Sequence, residues 1–370
     1  MISVFGSQIG KTEIDNVVEC MNSQWMGFGK NVEKFEIEFK KKLQLKNFCM
    51  LDSGSNALFM AVTLLNLPKN SEIILPSFTW VSCAQSILMA GHKPIFCDVD
   101  IDTMNVRKED IIKHISKNTA AIMVVDYAGL PIEMDSIQEL DIPIIEDAAH
   151  AVHSLYKGNA CGSLADIAIY SFDSVKNLAV GEGGGITAKD DELINRAKTL
   201  RYCGIGKSGF DKANENDNSK SRWWEYDITE PFIKMLPTNI SGAIGIAQLS
   251  KLEKLQNIRK RIWDIYQREF SNIDCITTPV DANDSDRHSF FTFCIKVPKR
   301  DELAKYLFNK GIYTTLRYHP LHLNSLYKQT DKKLINTEKL NDIALSIPLH
   351  PRLNDDDIDK VINSIKSFYI

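Results

Sequence analysis

Seven short apolar runs, with helix-like stretches between them, constrain the fold of this chain more than any other feature. The runs cover residues 48–51, 73–75, 94–99, 121–125, 142–145, 167–170 and 185–188. Strands that are apolar on both faces are typical of a mostly parallel sheet covered by helices, because such strands have no solvent face. Stretches such as 57–67 and 81–90 are predicted to supply those helices. The pattern therefore predicts an α/β fold.

A different pattern begins at Thr238. Apolar residues keep a three-to-four spacing as far as Ile262, which indicates one long amphipathic helix with Thr238 or Asn239 as its cap. At 370 residues the chain is long enough for two domains. We predict a large domain over 1–238, with an N-terminal helical segment, and a linking helix with a small C-terminal domain over 239–370.

The remaining C-terminal elements indicate an α+β arrangement. Strand-like and helix-like segments alternate there, at 290–297, 301–310, 313–318 and from Asp355 onward. Residues 207–221, by contrast, contain few apolar residues and are crowded with Gly, Lys, Asp, Asn and Ser. That composition predicts a mobile loop.

Charge and hydropathy exclude two large classes of function. A net charge of -4 leaves no general basic footprint for nucleic acid. The chain opens without a basic segment followed by an apolar one, and no apolar run approaches the roughly 18 residues of a spanning helix. We therefore expect a cytoplasmic protein that binds neither nucleic acid nor membrane. The 8 cysteines stand singly, which predicts reduced thiols and neither a disulfide framework nor a metal site.

Two small-residue turns directly follow predicted strands. In residues 52–57, free backbone N–H groups and a helix dipole can bind an anion, with Gly54, Ser55 and Asn56 as candidate contacts. The alternative is a simple N-cap for the following helix. Trp80 follows the next strand, at the edge where open α/β sheets bind ligands. Its ring can stack on a flat cofactor or simply pack at the edge of the sheet.

An acid and a lysine follow two later strands. Asp147 ends an apolar run, where a carboxylate needs a cationic partner such as a protonated pyridine nitrogen. It can instead cap a helix, and His150 can be an ordinary core histidine. Lys176 stands among small and apolar residues before the glycine run 181–185, an environment that can lower the pKa of its amine and allow an imine to form. An isolated lysine is nearly always a solvated charge, so the interpretation depends on its neighbours.

Taken together, these segments supply a phosphate site, a stacking ring, an acid and an amine, which are the groups that pyridoxal 5′-phosphate (PLP) requires. Their order resembles the DegT/DnrJ/StrS family of sugar aminotransferases. The resemblance rests on 53–57, 76–80, 146–150, 171–176, 181–184, 238–240, 243–249 and 320–322. It implies the aspartate-aminotransferase fold, with a large PLP-binding domain around a mixed, mostly parallel seven-stranded sheet. It also implies a homodimer with a shared active site, and PLP that cycles through pyridoxamine 5′-phosphate (PMP).

The resemblance assigns roles to individual residues. Lys176 matches the lysine that holds PLP as a Schiff base, Asp147 the partner of the pyridine nitrogen, and Trp80 the stacking ring. The implied phosphate contacts are Gly54, Ser55, Asn56 and Ser171. His150 stands where the family usually has glutamine and can bond the ring hydroxyl of the cofactor. Asp173 stands where histidine is frequent.

The substrate end of the site is implied by position within the family motifs. Glu182 lies in the Gly-Glu-Gly-Gly run, Tyr318 lies just before the Pro-Leu-His motif, and His322 ends that motif. The asparagine with which most relatives reach the phosphate of the partner subunit is absent from its usual place. Arg222 or Lys234 is the candidate to replace it, and Arg222 is also a candidate substrate contact.

The expected reaction moves an amino group from an amino acid, L-glutamate in the first place, to a nucleotide-linked keto sugar. A 4-keto-6-deoxyhexose is favoured over a 3-keto sugar, for surface-glycan or related amino-sugar biosynthesis. Three alternatives stay open. A PLP-dependent sugar dehydratase carries histidine where this chain has Lys176, a desulfurase or lyase needs a reactive cysteine such as Cys203, and a non-catalytic PLP-binding regulator would carry a DNA-binding module.

Overall fold

The computed structural model describes residues 1–206, 224–327, 329 and 333–369. Nine strands lie in the first part of the chain: β1 (Cys49–Leu51), β2 (Glu72–Pro76), β3 (Lys93–Cys97), β4 (Thr119–Val125), β5 (Ile144–Asp147), β6 (Leu155–Tyr156), β7 (Asn159–Ala160), β8 (Ile167–Ser171) and β9 (Gly184–Ala188). Seven of them form one sheet in the order β1-β9-β8-β5-β4-β2-β3, and β6 pairs with β7. All seven predicted strands are confirmed.

The direction of β9 gives the sheet its mixed character. Strands β8, β5, β4, β2 and β3 pair in parallel, whereas β9 pairs antiparallel with both β1 and β8. The fold is therefore the predicted α/β class with a mixed, mostly parallel sheet. Because β9 is reversed, its first residue lies at the same edge as the last residues of β1 and β8, with Gly184 opposite Leu51 and Ser171.

Helices cover both faces of the sheet. They are α1 (Lys11–Asn22), α2 (Lys30–Leu43), α3 (Gly54–Leu64), α4 (Val81–Met89), α5 (Lys108–Ile112), α6 (Met134–Gln138) and α7 (Asp191–Leu200). Buried side chains of α3, α4 and α7 pack on one face, and those of α2, α5 and α6 pack on the other. Alternate residues of each strand point to opposite faces, so both faces are buried. The helices predicted at 57–67 and 81–90 are α3 and α4.

The C-terminal part has its own apolar core. It contains α8 (Asn239–Ser250), α9 (Leu252–Phe270), β10 (Phe293–Lys296), α10 (Arg300–Asn309), α11 (Ile335–Ile343), β11 (Ala344–Ile347) and α12 (Asp355–Tyr369). Strands β10 and β11 pair antiparallel, and side chains of α9, α10 and α12 pack around them. Helix α8 instead contacts α1 and α2. The division at residue 238 stays a prediction.

The single long helix predicted from Thr238 is wrong in one respect, because Lys251 separates α8 from α9. The apolar spacing continues through the break, so periodicity alone does not reveal it. The cap is Thr238, whose side-chain oxygen accepts a hydrogen bond from Ser241 N at 3.1 Å.

The strand predicted at 313–318 is also wrong. This segment has no regular strand and makes one bridge there, between Thr315 and Ser346. The carbonyl of Arg317 accepts a hydrogen bond from the Tyr127 hydroxyl. The side chain of Tyr127 therefore occupies a backbone carbonyl that a longer strand would need for pairing.

Within the part of the chain that the structure describes, no helix is long and apolar enough to cross a membrane. All eight cysteines lie in this part, and each is free of disulfide bonds. Six of them are buried, whereas Cys203 and Cys275 are partly exposed. The loop predicted at 207–221 lies outside the described residues.

Candidate active site

A cavity of about 450 Å³ opens at the sheet edge where β1, β2, β5 and β8 end and β9 begins. Its wall contains nine of the residues predicted from sequence: Gly54, Ser55, Trp80, Asp147, His150, Ser171, Lys176, Glu182 and Tyr318. The carboxyl edge of a parallel sheet is the usual ligand site in α/β proteins. Glu182 lies there because it stands two residues before the start of the reversed strand β9.

Lys176 lies on the loop that follows β8. Its backbone N–H donates to Asp173 O at 2.9 Å, and its ammonium lies 4.8 Å from the ring centroid of Phe291. Burial lowers the pKa of Lys176 from 10.5 to about 8, and the charge of Arg317 acts in the same direction. Asp147 and Asp173 oppose that shift. The interpretation of Lys176 as a solvated surface charge is therefore wrong.

Asp147 ends β5 and is only 4% exposed. Its Oδ2 accepts a hydrogen bond from Cys83 Sγ at 3.1 Å, and its Oδ1 accepts one from Ala149 N at 3.0 Å. Burial raises the pKa of this carboxyl, while the two hydrogen bonds and the charge of Lys176 oppose the rise. These opposing effects favour the ionised carboxylate, which can pair with a cationic group in the cavity.

The turn before α3 serves as both a helix cap and a wall of the cavity. Ser53 Oγ accepts from Asn56 N at 3.1 Å, which is the capping role. A Cβ on Gly54 would lie 2.8 Å from Ser171 Oγ, so only glycine lets this turn approach β8 so closely. Ser55 Oγ lies 2.7 Å from Ser82 Oγ, and both residues line the cavity. Hydroxyls and the start of α3 therefore meet where an anion can bind.

Three aromatic side chains border the cavity beside the lysine. Trp80 is 51% exposed, and its ring centroid lies 5.7 Å from that of Tyr318. His150 is buried, stacks on Phe291 at 4.0 Å and bonds the Tyr318 hydroxyl through Nε2 at 2.9 Å. Burial, followed by the charges of Lys176 and then Arg317, holds the pKa of His150 well below its usual value. Its Nδ1 is buried without a hydrogen-bond partner among the described residues.

Some predicted contacts do not reach the cavity. Asn56 bonds Asp52 Oδ1 at 2.8 Å through its side chain and is absent from the cavity wall. His322 is fully buried, and its Nδ1 lies 2.7 Å from Ser77 Oγ, just beyond the end of β2. This hydrogen bond holds the backbone around His322 next to β2. Lys234 is exposed away from the wall. Arg222 lies outside the described residues.

Three further residues of the site were given no individual role from the sequence. Cys83 lies in the first turn of α4, three residues after Trp80. This short distance in the sequence from a predicted site residue was a signal that Cys83 also lies near the strand ends. Phe5 and Arg317 come from distant parts of the chain, and both line the cavity. No local pattern connects them with the strand ends.

Comparison with known proteins agrees with this geometry. The DegT/DnrJ/EryC1/StrS aminotransferase family matches residues 7–366. The chain belongs to this family. The dTDP-4-dehydro-2,3,6-trideoxy-D-glucose 4-aminotransferase of Saccharopolyspora spinosa is 34% identical over 99% of this chain and 96% of its own length. The sequence-based identification is therefore confirmed.

Solved structures of this kind share the whole fold. The aminotransferase TlmJ from Streptoalloteichus hindustanus superposes with a TM-score of 0.93 at 31% identity, covering 99% of this chain and 98% of that one. Spr1654 from Streptococcus pneumoniae superposes in its PMP form with a TM-score of 0.92 at 26% identity, covering 99% and 98%, and is also known in a PLP form.

The chain is therefore a PLP-dependent aminotransferase, and the residues of its cavity fit that cofactor. A buried acid, an amine of lowered pKa and an anion cradle line one cavity, and none of the residues that the structure describes bonds the buried Nδ1 of His150. In the same order, these groups suit the ring nitrogen, the aldehyde, the phosphate and the ring hydroxyl of PLP.

Proposed function

We propose that this enzyme transfers an amino group from an amino acid, L-glutamate in the first place, to a nucleotide-linked keto sugar. The observation that carries the proposal is that Lys176, whose pKa is about 8, and the buried Asp147 line one cavity. The Saccharopolyspora relative supports a nucleotide-linked sugar and amination at C4. A 3-keto sugar is the second candidate, and a role in surface-glycan biosynthesis stays a prediction.

Each residue of the cavity has a distinct task in this proposal. Bound PLP supplies the electron sink that makes the donor Cα–H acidic. Lys176, when neutral, would accept the proton from the donor Cα and serve as the proton carrier beside it. Asp147 would pair with the ring nitrogen and keep it protonated. Trp80 would stack on the ring, and His150 would bond the ring hydroxyl.

The remaining contacts hold the two ends of the ligands. Gly54, Ser55 and Ser171 would bind the phosphate at the start of α3, because the first N–H groups of a helix have no partner within the helix itself. Glu182 and Tyr318 line the same cavity and are assigned to the substrate. We assign no ligand contact to the side chains of His322 and Asn56, because they are hydrogen-bonded to Ser77 and Asp52.

Borohydride reduction tests the covalent anchor. The purified protein should carry PLP, and reduction followed by peptide mass mapping should locate the label on Lys176. Lys176→Ala should abolish turnover, while Lys189→Ala, on a partly exposed lysine remote from the cavity, should leave it unchanged. A label on any other lysine would contradict the assignment.

Substrate class is tested separately with the loaded enzyme. A panel of nucleotide-linked 4-keto and 3-keto sugars, each offered with L-glutamate, should give the amino sugar from the 4-keto series. The presence of Lys176 favours amino transfer over sugar dehydration. Cys203 does not line the cavity, so the geometry gives no support to a desulfurase.

We also propose a homodimer in which each active site is shared. Helix α1 exposes an apolar stripe, which we call the α1 stripe and which comprises Ile14, Val18 and Met21, each at least half exposed. Ile14 and Val18 border the same surface depression as Ser174 and Gly181, next to the lysine loop. Exposed apolar patches of this kind mark protein interfaces. A second copy of the chain on this stripe would lie beside the site.

A further inference from the structure

The hydroxyl of Tyr318 joins two other side chains of the cavity wall. Nη1 of Arg317 donates to this oxygen at 3.3 Å, and Nε2 of His150 lies 2.9 Å from it. All three residues are buried, and all three line the cavity. Among the residues that the structure describes, the hydroxyl bonds no other group. The three side chains therefore form a chain of hydrogen bonds that ends at His150.

The direction of this chain follows from the chemistry of arginine, which can donate hydrogen bonds but cannot accept them. The oxygen of Tyr318 accepts from Arg317, so its own proton is left for Nε2 of His150. If Nε2 were the donor instead, the buried hydroxyl proton would have no acceptor in the described part of the chain. Satisfying the hydroxyl therefore makes Nε2 the acceptor.

The other nitrogen of His150 must then carry the ring proton. Burial, followed by the charges of Lys176 and Arg317, holds the pKa of His150 well below its usual value, so the ring is neutral and has one N–H. Its Nδ1 is buried and bonds none of the described residues. The ring stacks on Phe291 with 4.0 Å between the centroids, which fixes its plane. His150 therefore offers a donor, and not an acceptor, to a ligand of the cavity.

We propose that Tyr318 is a positioning residue that selects this tautomer of His150, so that Nδ1–H donates to the ring oxygen of the cofactor. The inference rests on the proposed function, which assigns His150 to that oxygen. The position of one proton decides the contact, because an unprotonated Nδ1 and a ring oxygen are both acceptors and cannot bond each other. Glutamine, the usual residue of the family at position 150, always has an N–H. Only a histidine needs a partner such as Tyr318.

Nitrogen NMR of the PMP-loaded enzyme tests the tautomer directly. With isotope-labelled histidine, the signals that are missing from His150→Gln identify those of His150. The wild type should show a protonated Nδ1 and an unprotonated Nε2. In Tyr318→Phe, which keeps the ring but loses the hydroxyl, the form with a protonated Nε2 should appear. Tyr202→Phe, on an exposed tyrosine outside the cavity wall, is the matched control and should give the wild-type signals.

The affinity for PMP provides a second readout, in which no turnover occurs and no covalent bond forms. Calorimetry on the apoenzyme measures Kd. Tyr318→Phe should weaken PMP binding by about 3- to 10-fold, because the hydrogen bond from Nδ1 is lost in part of the molecules. When His150→Gln is already present, the same change should cost less than about twofold, because the glutamine keeps its N–H without the tyrosine. Melting temperatures check that each variant folds.

Three results would overturn the inference. An unprotonated Nδ1 in the wild type, a result that does not depend on Tyr318→Phe folding, reverses the direction of the chain. An equal loss of PMP affinity with histidine or glutamine at position 150 means that Tyr318 acts without His150. A wild type that binds no PMP overturns the proposed function as well, whereas the first two results leave that function intact.

Discussion

Asp147 receives a hydrogen bond from a thiol, a less common donor than an amide or a hydroxyl. Cys83 Sγ lies 3.1 Å from its Oδ2, and Thr79 Oγ1 lies 3.3 Å from the same sulfur. A donor next to a carboxylate favours the ionised form, against the burial that raises the pKa. The small side chain of Cys83 thus keeps the acid ready for a cationic ring nitrogen.

Asp147→Asn should lower the rate of the half-reaction by about 100-fold or more, because a neutral amide cannot keep the ring nitrogen protonated. Stopped-flow absorbance of the cofactor measures this rate. Asp173→Asn, which changes an acid on the lysine loop in the same cavity, is the control and should cost less than about tenfold. A rate for Asp147→Asn within threefold of the wild type would refute the role.

Cys83→Ala should slow the same half-reaction by about 2- to 10-fold, because one hydrogen bond to Asp147 is lost. Cys83→Ser keeps a donor of similar size and should retain most of the rate. If both variants react alike, the thiol packs against the acid without supporting its charge.

Residues that directly follow a strand were predictable, and residues from elsewhere were not. Lys176 and Asp147 belong to motifs at the ends of β8 and β5, where the sheet determines their position. Arg317 reaches the cavity from a segment about 140 residues beyond Lys176, and its irregular backbone gave no periodic signal. Its importance depends on charges that only the folded chain brings together.

At the scale of elements, the strands were the most predictable part of the fold. Each has apolar residues on both faces, and this pattern can be recognised in the sequence without knowing which helices cover the strand. The failures are of another kind. The break at Lys251 lies within continuous apolar spacing. The segment 313–318 makes only one backbone bridge, from Thr315 to Ser346, and its Arg317 carbonyl accepts a hydrogen bond from the Tyr127 side chain. Neither the helix break nor the hydrogen-bond partner of the Arg317 carbonyl can be read from the neighbouring sequence.

Thr238→Ala should destabilise the protein by about 1 kcal/mol, because the start of α8 loses its cap. Urea denaturation followed by circular dichroism measures the free energy of unfolding. Thr238→Ser keeps the capping oxygen and should stay within a few tenths of a kcal/mol of the wild type. Equal stability of the alanine variant would mean that tertiary contacts alone hold this helix end.

At the scale of the whole molecule, the α1 stripe predicts the oligomeric state. Val18→Glu places a charge in the middle of the stripe and should shift a dimer toward monomer in analytical ultracentrifugation, with a parallel loss of activity. Ile37→Glu, on a comparably exposed residue of α2, is the matched control and should stay dimeric. A dimer unaffected by Val18→Glu would require another interface.

Stability of the molecule should also depend on a buried acid pair. Asp126 and Glu146 are both buried, and Cys161 lies within 4.8 Å of their oxygens. One oxygen of each acid lacks a partner among the described residues, which a shared proton would satisfy. Burial, and then the charge of Asp126, raises the pKa of Glu146 well above 4.5.

A raised carboxyl pKa stabilises the fold at low pH, and this contribution is lost as the pH rises through the folded-state pKa. Glu146→Gln replaces the protonated acid with a permanent donor, so its stability should fall less than that of the wild type as the pH rises above 4.5, the ordinary pKa of glutamate. The difference should be at least about 1 kcal/mol. Asp135→Asn, on an exposed acid, should follow the wild-type curve. Identical pH profiles for Glu146→Gln and the wild type would mean that the pair holds no proton.

The lowered pKa of Lys176 also governs how fast the newly folded chain acquires its cofactor. Only a neutral amine attacks the aldehyde of PLP, and with a pKa of about 8 roughly a tenth of the molecules are neutral at pH 7. A lysine at the ordinary value of 10.5 would be neutral in about three molecules in ten thousand. Reconstitution of the apoprotein should therefore be fast at neutral pH and should accelerate only up to about pH 8.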